Sequence, residues 1–173
     1  GFSGGWEEKK LGDIADVKGG KRIPLGETLQ LENNNFPYIT VSDMDNGSVS
    51  LEKIKYVPES VQKKIKNYTI STKDIYVSVA GTLGLVGIIP RELEGANLTE
   101  NANKLTGLKC DQNFLYHFLN GRSLKKLTES VKTSNAQPKL AIYALKTLKT
   151  YTPIEKEQQR ISEFLGTTDE LIN

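Results

Sequence analysis

The chain is short of the residues on which most enzyme chemistry runs: its 173 positions hold one histidine, His117, and one cysteine, Cys110. A lone cysteine makes no intrachain disulfide, which excludes a disulfide scaffold and points to a reducing, cytoplasmic setting. One His and one Cys do not make a zinc site, and the Gly-x-x-x-x-Gly-Lys-Ser/Thr phosphate loop is missing. No run approaches the roughly 18 consecutive apolar residues of a membrane span. The opening Gly1 to Gly5 has neither the basic nor the apolar stretch of a signal peptide and reads as a flexible lead-in. Without an initiating Met, the sequence reads as a piece of a longer protein. Internal repeats and low-complexity tracts are also missing.

What is present is the composition of a folded globule, with 37% apolar and 25% charged residues. The length suits one domain, or one domain with an appendage. The net charge of +2 conceals a division: from Pro153 onward two basic residues face five acidic ones, which leaves +5 on the rest. Within that rest, Gly121 to Thr150 carries Arg122 and six lysines against the single acid Glu129. A cationic stretch of this kind suits a phosphate backbone, although solubility alone asks for the same residues.

The patterning is mixed. Trp6 to Val17, ended by Gly19-Gly20, reads as a short docking strand or turn. Phe36 to Val41, with Pro37 near its start, reads as an edge or first-position strand. Asp45-Asn46-Gly47 is a turn with a residue suited to positive φ. Pro58 to Lys66 is a short helix resting on Val61 and Ile65. Ile75 to Ala80 and Leu85 to Ile89 are β-branched runs around Gly81-Thr82-Leu83-Gly84, predicted as two buried strands. Asp111 caps a helix displaying Phe114, Leu115, Phe118 and Leu119, and Leu124, Leu127 and Val131 continue the helical spacing. Thr133 to Pro138 reads as a loop. Thr152-Pro153-Ile154-Glu155 has the form of a capping box, so a helix is expected to begin there, with Ile154, Gln158, Ile161, Leu165, Thr168 and Ile172 at coiled-coil spacing. The irregular alternation favours a mixed α/β (α+β) globule with a twisted sheet and short helices.

No converging catalytic set emerges. His117 lies between aromatics in an apolar helix, where a structural role is the better reading, and Cys110 reads as a small apolar filler. Neither metal nor cofactor is expected. The residue types that do recur suit base edges: amides pair with adenine, Arg and Lys with guanine, hydroxyls with either. They gather in Gly19 to Pro24 (Lys21, Arg22), in Ser78 to Gly84 (Ser78, Gly81, Thr82), in Asn97 to Lys104 (Asn101, Asn103, Lys104) and in Ser134 to Lys139 (Gln137, Lys139). Each stretch alone also describes an ordinary surface loop. Together with a basic surface they are more telling and point toward nucleic-acid binding.

Read in order, several short motifs resemble the type I restriction-modification specificity subunits. They are Trp6 with Leu11-Gly12-Asp13-Ile14, Pro37-Tyr38-Ile39 before Ser42-Asp43-Met44, and Lys73-Asp74-Ile75 leading to Ser78 through Gly84. Ala96 to Asn101 follow, then Ala136-Gln137-Pro138-Lys139-Leu140, and finally Pro153-Ile154 with Glu157-Gln158, Ile161 and Asp169. Pro153 stands alone where the family often has a proline pair. The resemblance implies one target recognition domain, residues 1–151, followed by the start of a conserved spacer helix, residues 152–173. It implies a non-catalytic reader of one half of a split double-stranded DNA target. Its implied partners are methyltransferase (modification) subunits, an ATP-dependent restriction subunit, and a second recognition domain with its own conserved helix. A recognition domain of a single-chain restriction enzyme and methyltransferase, a protein-binding scaffold, and a phosphate-handling enzyme using the glycine loop are the alternatives.

Overall fold

A computed structural model describes residues 6–134, 136–153 and 160–166 of the chain. The elements run β1 (Trp6–Lys10), α1 (Leu11–Ile14), β2 (Asp16–Gly19), β3 (Pro37–Ile39), β4 (Met44–Asp45), β5 (Ser48–Val49), β6 (Lys55–Tyr56) and α2 (Glu59–Ile65). They continue with β7 (Ile75–Ser78), β8 (Val86–Gly87), β9 (Asn97–Leu98), β10 (Ala102–Thr106), α3 (Gln112–Leu119), α4 (Arg122–Ser134), α5 (Ile142–Lys146) and β11 (Lys149–Pro153). A last helix, α6, occupies residues 160–166.

The centre is an antiparallel sheet in the order β2-β10-β7-β8. All four residues of β7 are buried, because the sheet is covered on both faces. Successive side chains of a strand point to opposite faces. Ile75 and Val77 therefore join Leu105, Leu115, Leu119 and Leu124 under α3 and α4, while Tyr76 enters a second core with Ile39, Ile70, Leu98 and Ala102. The expectation of two buried strands around the glycine loop holds, with β8 shorter than its β-branched run. Ser78 and Leu85 close the pair, Ser78 N donating to Leu85 O at 2.9 Å.

The Phe36 to Val41 segment forms the first-position strand the sequence offered, with Pro37 opening it, and not the edge strand. Its strand, β3, is no edge: it sits between β6, antiparallel, and β9, parallel. Pro37 is tolerated there because it opposes Tyr56, whose N–H and carbonyl are already engaged with Gln30, each at 2.8 Å. The proline's missing donor leaves no acceptor unmet. The Asp45-Asn46-Gly47 turn is present, with φ of 49° at Asn46 and 79° at Gly47, and it joins β4 to β5.

Helix α2 starts directly after Pro58 and buries Val61 and Ile65 as expected. Asp111 caps α3, its carboxylate accepting from Phe114 N at 2.9 Å. Helix α4 runs further than the loop-like composition of its end suggested: Thr133 and Ser134 are helical. Hydroxyls there satisfy the last carbonyls, Thr133 Oγ1 donating to Ser130 O at 3.0 Å and Ser134 Oγ to Val131 O at 3.1 Å. These residues thereby serve the helix instead of competing with it.

Both ends of the body also correct the sequence reading. Trp6 to Val17 is a strand, a short helix and a second strand. Thr152 and Pro153 belong to β11, paired with β1 from Trp6↔Pro153 to Lys10↔Lys149, so no helix begins at Thr152. The two strands form a ribbon of their own, and Thr150 Oγ1 ties it further by donating to Lys9 O at 2.8 Å. Of the expected seam, Ile161 and Leu165 lie on α6 and are half-buried, whereas Ile154, Gln158, Thr168 and Ile172 lie outside the described residues. Among the described residues no helix is long and apolar enough to cross a membrane.

Candidate nucleic-acid interface

Four stretches that are far apart in the chain are stitched side by side by backbone hydrogen bonds. Gly20 N donates to Ala102 O at 3.1 Å and Lys21 N to Leu98 O at 2.8 Å, which fixes the first stretch beside the third. Val79 N donates to Asn101 O at 2.8 Å, which brings the glycine loop to the other side of the third. Leu140 N donates to Val79 O at 2.8 Å, and Lys139 bridges Ala80, which adds the fourth. Where they meet lies an open cleft of about 550 Å³, lined by Gly19, Gly20, Val79, Glu100, Asn103 and Lys139 with Leu140, Ala141 and Ile142.

One glycine makes the closeness possible. A Cβ on Gly20 would collide with the carbonyls of Leu98 and Thr99. On the far side the loop tip is free: Gly81 has φ +73°, a Cβ there would meet nothing, and Thr82 is exposed beside it. The loop then turns under α4, where Gly84 packs on Thr128 and a second groove is lined by Lys125, Glu129 and Lys132. The cationic helix thus borders the same loop that borders the cleft.

The sequence-predicted residues divide accordingly. Lys21, Arg22, Thr82, Gln137 and Lys139 are exposed along these segments, and Asn101 is half-buried between them. Asn103 is 3% exposed and lines the cleft, its Nδ2 buried without a hydrogen-bond partner. Two residues are turned to internal work. Ser78 is fully buried, donating through Oγ to Thr82 O and accepting from Leu85 N at 2.8 Å, so it shapes the loop and offers nothing to solvent. Lys104 points across β10 from Asn103, and its ammonium donates to Thr69 O at 2.6 Å.

Sequence reasoning passed over Glu100. Its Oε1 accepts from Arg22 Nε at 3.2 Å and its Oε2 from Thr99 Oγ1 at 3.2 Å. The pairing spans 78 positions, and only the fold reveals it. With side chains 69% and 32% exposed, the Arg22–Glu100 pair contributes at most about 1 kcal/mol to stability. Nearby, Tyr38 OH donates to Lys21 O at 2.8 Å, and its pKa is pushed up to about 12 by burial and then by the Glu100 carboxylate. Lys21 Nζ lies 5.6 Å from the centre of the Tyr68 ring, a cation–π contact.

The reactive candidates take structural positions. Burial pushes the Cys110 thiol up to about 11, which keeps it protonated at neutral pH and poorly nucleophilic. His117 meets Tyr116 edge to face at 5.0 Å. Among the described residues no group of three His, Cys, Asp or Glu is placed to hold a metal ion.

The chain is similar to known proteins in sequence and in fold. The specificity subunit of the type I restriction enzyme MjaIX from Methanocaldococcus jannaschii is 30% identical over 96 residues, 54% of this chain and 22% of that protein. A chain from a structure concerned with complex assembly and conformational transition of the type I R-M system superposes with a TM-score of 0.78 at 17% identity. The match covers 99% of this chain and 40% of that one. The HsdS subunit of Thermoanaerobacter tengcongensis gives 0.73 at 17% identity, over 99% of this chain and 39% of its own. The chain therefore has the length of a part of each relative, and the shared fold includes the mixed α/β body. Residues 3–173 match the type I restriction modification DNA specificity domain, and the chain belongs to that family.

Proposed function

We propose that this domain reads one half of a bipartite double-stranded DNA target and lends that address to partner methyltransferase and restriction subunits, without chemistry of its own. The observation that carries the reading is convergence. Stretches around residues 20, 80, 100 and 139 are hydrogen-bonded into one surface holding an open cleft, with the lysines of α4 beside it. Phosphate contacts from lysines supply affinity without sequence information, and side chains at the grooves supply discrimination. Arg22, Thr82, Asn101, Asn103, Gln137 and Lys139 are the groups we assign to that surface. In this reading Gly81 allows close backbone approach, and Ser78 holds the loop in shape.

The body of the domain would extend through β11, and the chain beyond Pro153 would open the spacer helix. Ile161 and Leu165 on α6 would dock against a second conserved helix, in a cytoplasmic assembly. A single half-site reader makes few base contacts, so the domain alone should bind near the roughly micromolar, non-specific range. The decisive test uses the full-length subunit with its modification partners. Methylated sites are sequenced in cells carrying that subunit with this domain intact or exchanged for another. One half of the methylated motif should change and the other should persist; an unchanged motif rejects the proposal.

A further inference from the structure

A surface that only gripped phosphates would have no use for a fixed carboxylate, yet Glu100 sits in the wall of the cleft with Lys139 and Asn103. It is held from both sides, by Arg22 Nε on one oxygen and Thr99 Oγ1 on the other. Its side chain keeps 32% of its surface exposed. A carboxylate offers about four lone-pair sites, so two bonds leave it able to accept more, and as an ion it is an acceptor only. Phosphate oxygens are repelled by it. The Arg22 pair offers little stability in return, which leaves recognition as the stronger account of its placement.

We propose that Glu100 is a specificity-determining residue that accepts a hydrogen bond from the N4 amino group of a cytosine in the major groove. The proposal rests on the DNA-reading function above and names one element of what is read. The groove presents two exocyclic amino donors, on cytosine and on adenine. Adenine carries the N7 acceptor beside its N6 donor, which opposes the second carboxylate oxygen. Adenine N6 is flanked by acceptors on both sides, its own N7 and the thymine O4, whereas cytosine N4 has guanine O6 on one side and only C5–H on the other, so an acceptor-only side chain selects cytosine. The bonds to Arg22 and Thr99 orient the carboxylate before DNA arrives, and Arg22 lowers the repulsion that the charge exerts on neighbouring phosphates.

The test is made in the full-length subunit assembled with its modification partners, by methylation of duplexes that match the mapped half-site or differ from it at single positions. Glu100→Gln keeps the size but adds a donor, which suits adenine. At one C·G position the preference for cytosine over adenine should fall about tenfold or more, while every other position keeps its preference. Glu100→Asp, which keeps the charge, should weaken methylation but retain cytosine there. Thermal melting of both variants establishes that they are folded. A mapped half-site without a C·G pair overturns the proposal, as does Glu100→Gln methylating with the wild-type pattern or losing activity equally on all duplexes. Exchange of the whole domain is the control: if exchange alters the half-motif and Glu100→Gln does not, only the role of Glu100 falls.

Discussion

Gly20 lies against Thr99 with no room for a side chain between them, and this close approach sets the distance between the first and third stretches of the interface. A Cβ at Gly20 meets backbone carbonyl atoms, which do not swing aside as a flexible side chain does. Gly20→Ala should therefore destabilise the protein by about 1–3 kcal/mol, as overpacking of a tight site does. Gly81→Ala is the contrast: its Cβ enters open space, and the cost is the positive φ alone, about 1 kcal/mol. Chemical denaturation of the two variants should rank them in that order.

Ser78 and Thr82, alike in residue type and both read from the sequence as facing DNA, should differ in what they contribute. Removing the Ser78 hydroxyl leaves Thr82 O and Leu85 N without their partner inside the loop. Ser78→Ala should cost about 1–3 kcal/mol, the penalty for stranding buried polar groups. Thr82→Ala, at an exposed tip, should change stability by no more than about 0.5 kcal/mol. If Ser78→Ala melts with the wild type and alters only DNA discrimination, the hydroxyl faces outward after all.

The alkaline limb of stability should carry a Tyr38 signature. Its ordinary pKa of 10.0 is raised in the folded state to about 12, first by burial and then by Glu100. The folded protein therefore favours the neutral phenol more than the unfolded chain does. That contribution is complete below pH 10 and is lost as the pH rises toward 12. Tyr38→Phe removes the bond to Lys21 O, costing about 1 kcal/mol at neutral pH, and should flatten this part of the limb. Denaturation midpoints between about pH 9 and 12 decide it; parallel curves for the two proteins rule the effect out.

Local signals in the sequence were legible where the chain's own neighbours decide structure. The Asp111 cap, the Asn46-Gly47 turn, the Val61 and Ile65 face of α2 and the buried pair β7 and β8 all follow from residue type at short spacing. The failures come from distant partners. Pro37 left an edge or a first position open, and only the engagement of Tyr56 by Gln30 lets it open a strand that is not an edge. The capping-box pattern at Thr152 yields to pairing with β1, at the opposite end of the sequence. The candidate surface shows the same division: amide- and cation-rich stretches were visible, while the pairing of Glu100 with Arg22 and the inward turns of Ser78 and Lys104 exist only once the strands are aligned.

Three lysine and arginine positions separate DNA binding from internal support. Arg22 and Lys139 are exposed beside the cleft, whereas Lys104 has its ammonium on Thr69 O at 2.6 Å. Removing a side chain that grips one phosphate should lower the salt dependence of binding by about one in the log–log slope. Arg22→Ala and Lys139→Ala, measured in the full-length subunit on target and scrambled duplexes, should weaken binding to both and reduce the slope by about one apiece, with Arg22→Ala also relaxing the preference read by Glu100, which it no longer orients. Lys104→Ala should leave the slope alone and instead lower the melting temperature, since it strands a carbonyl that the ammonium now satisfies. A slope that falls for Lys104→Ala and holds for the other two would put DNA on the opposite face of β10, and the cleft would lose its place as the interface.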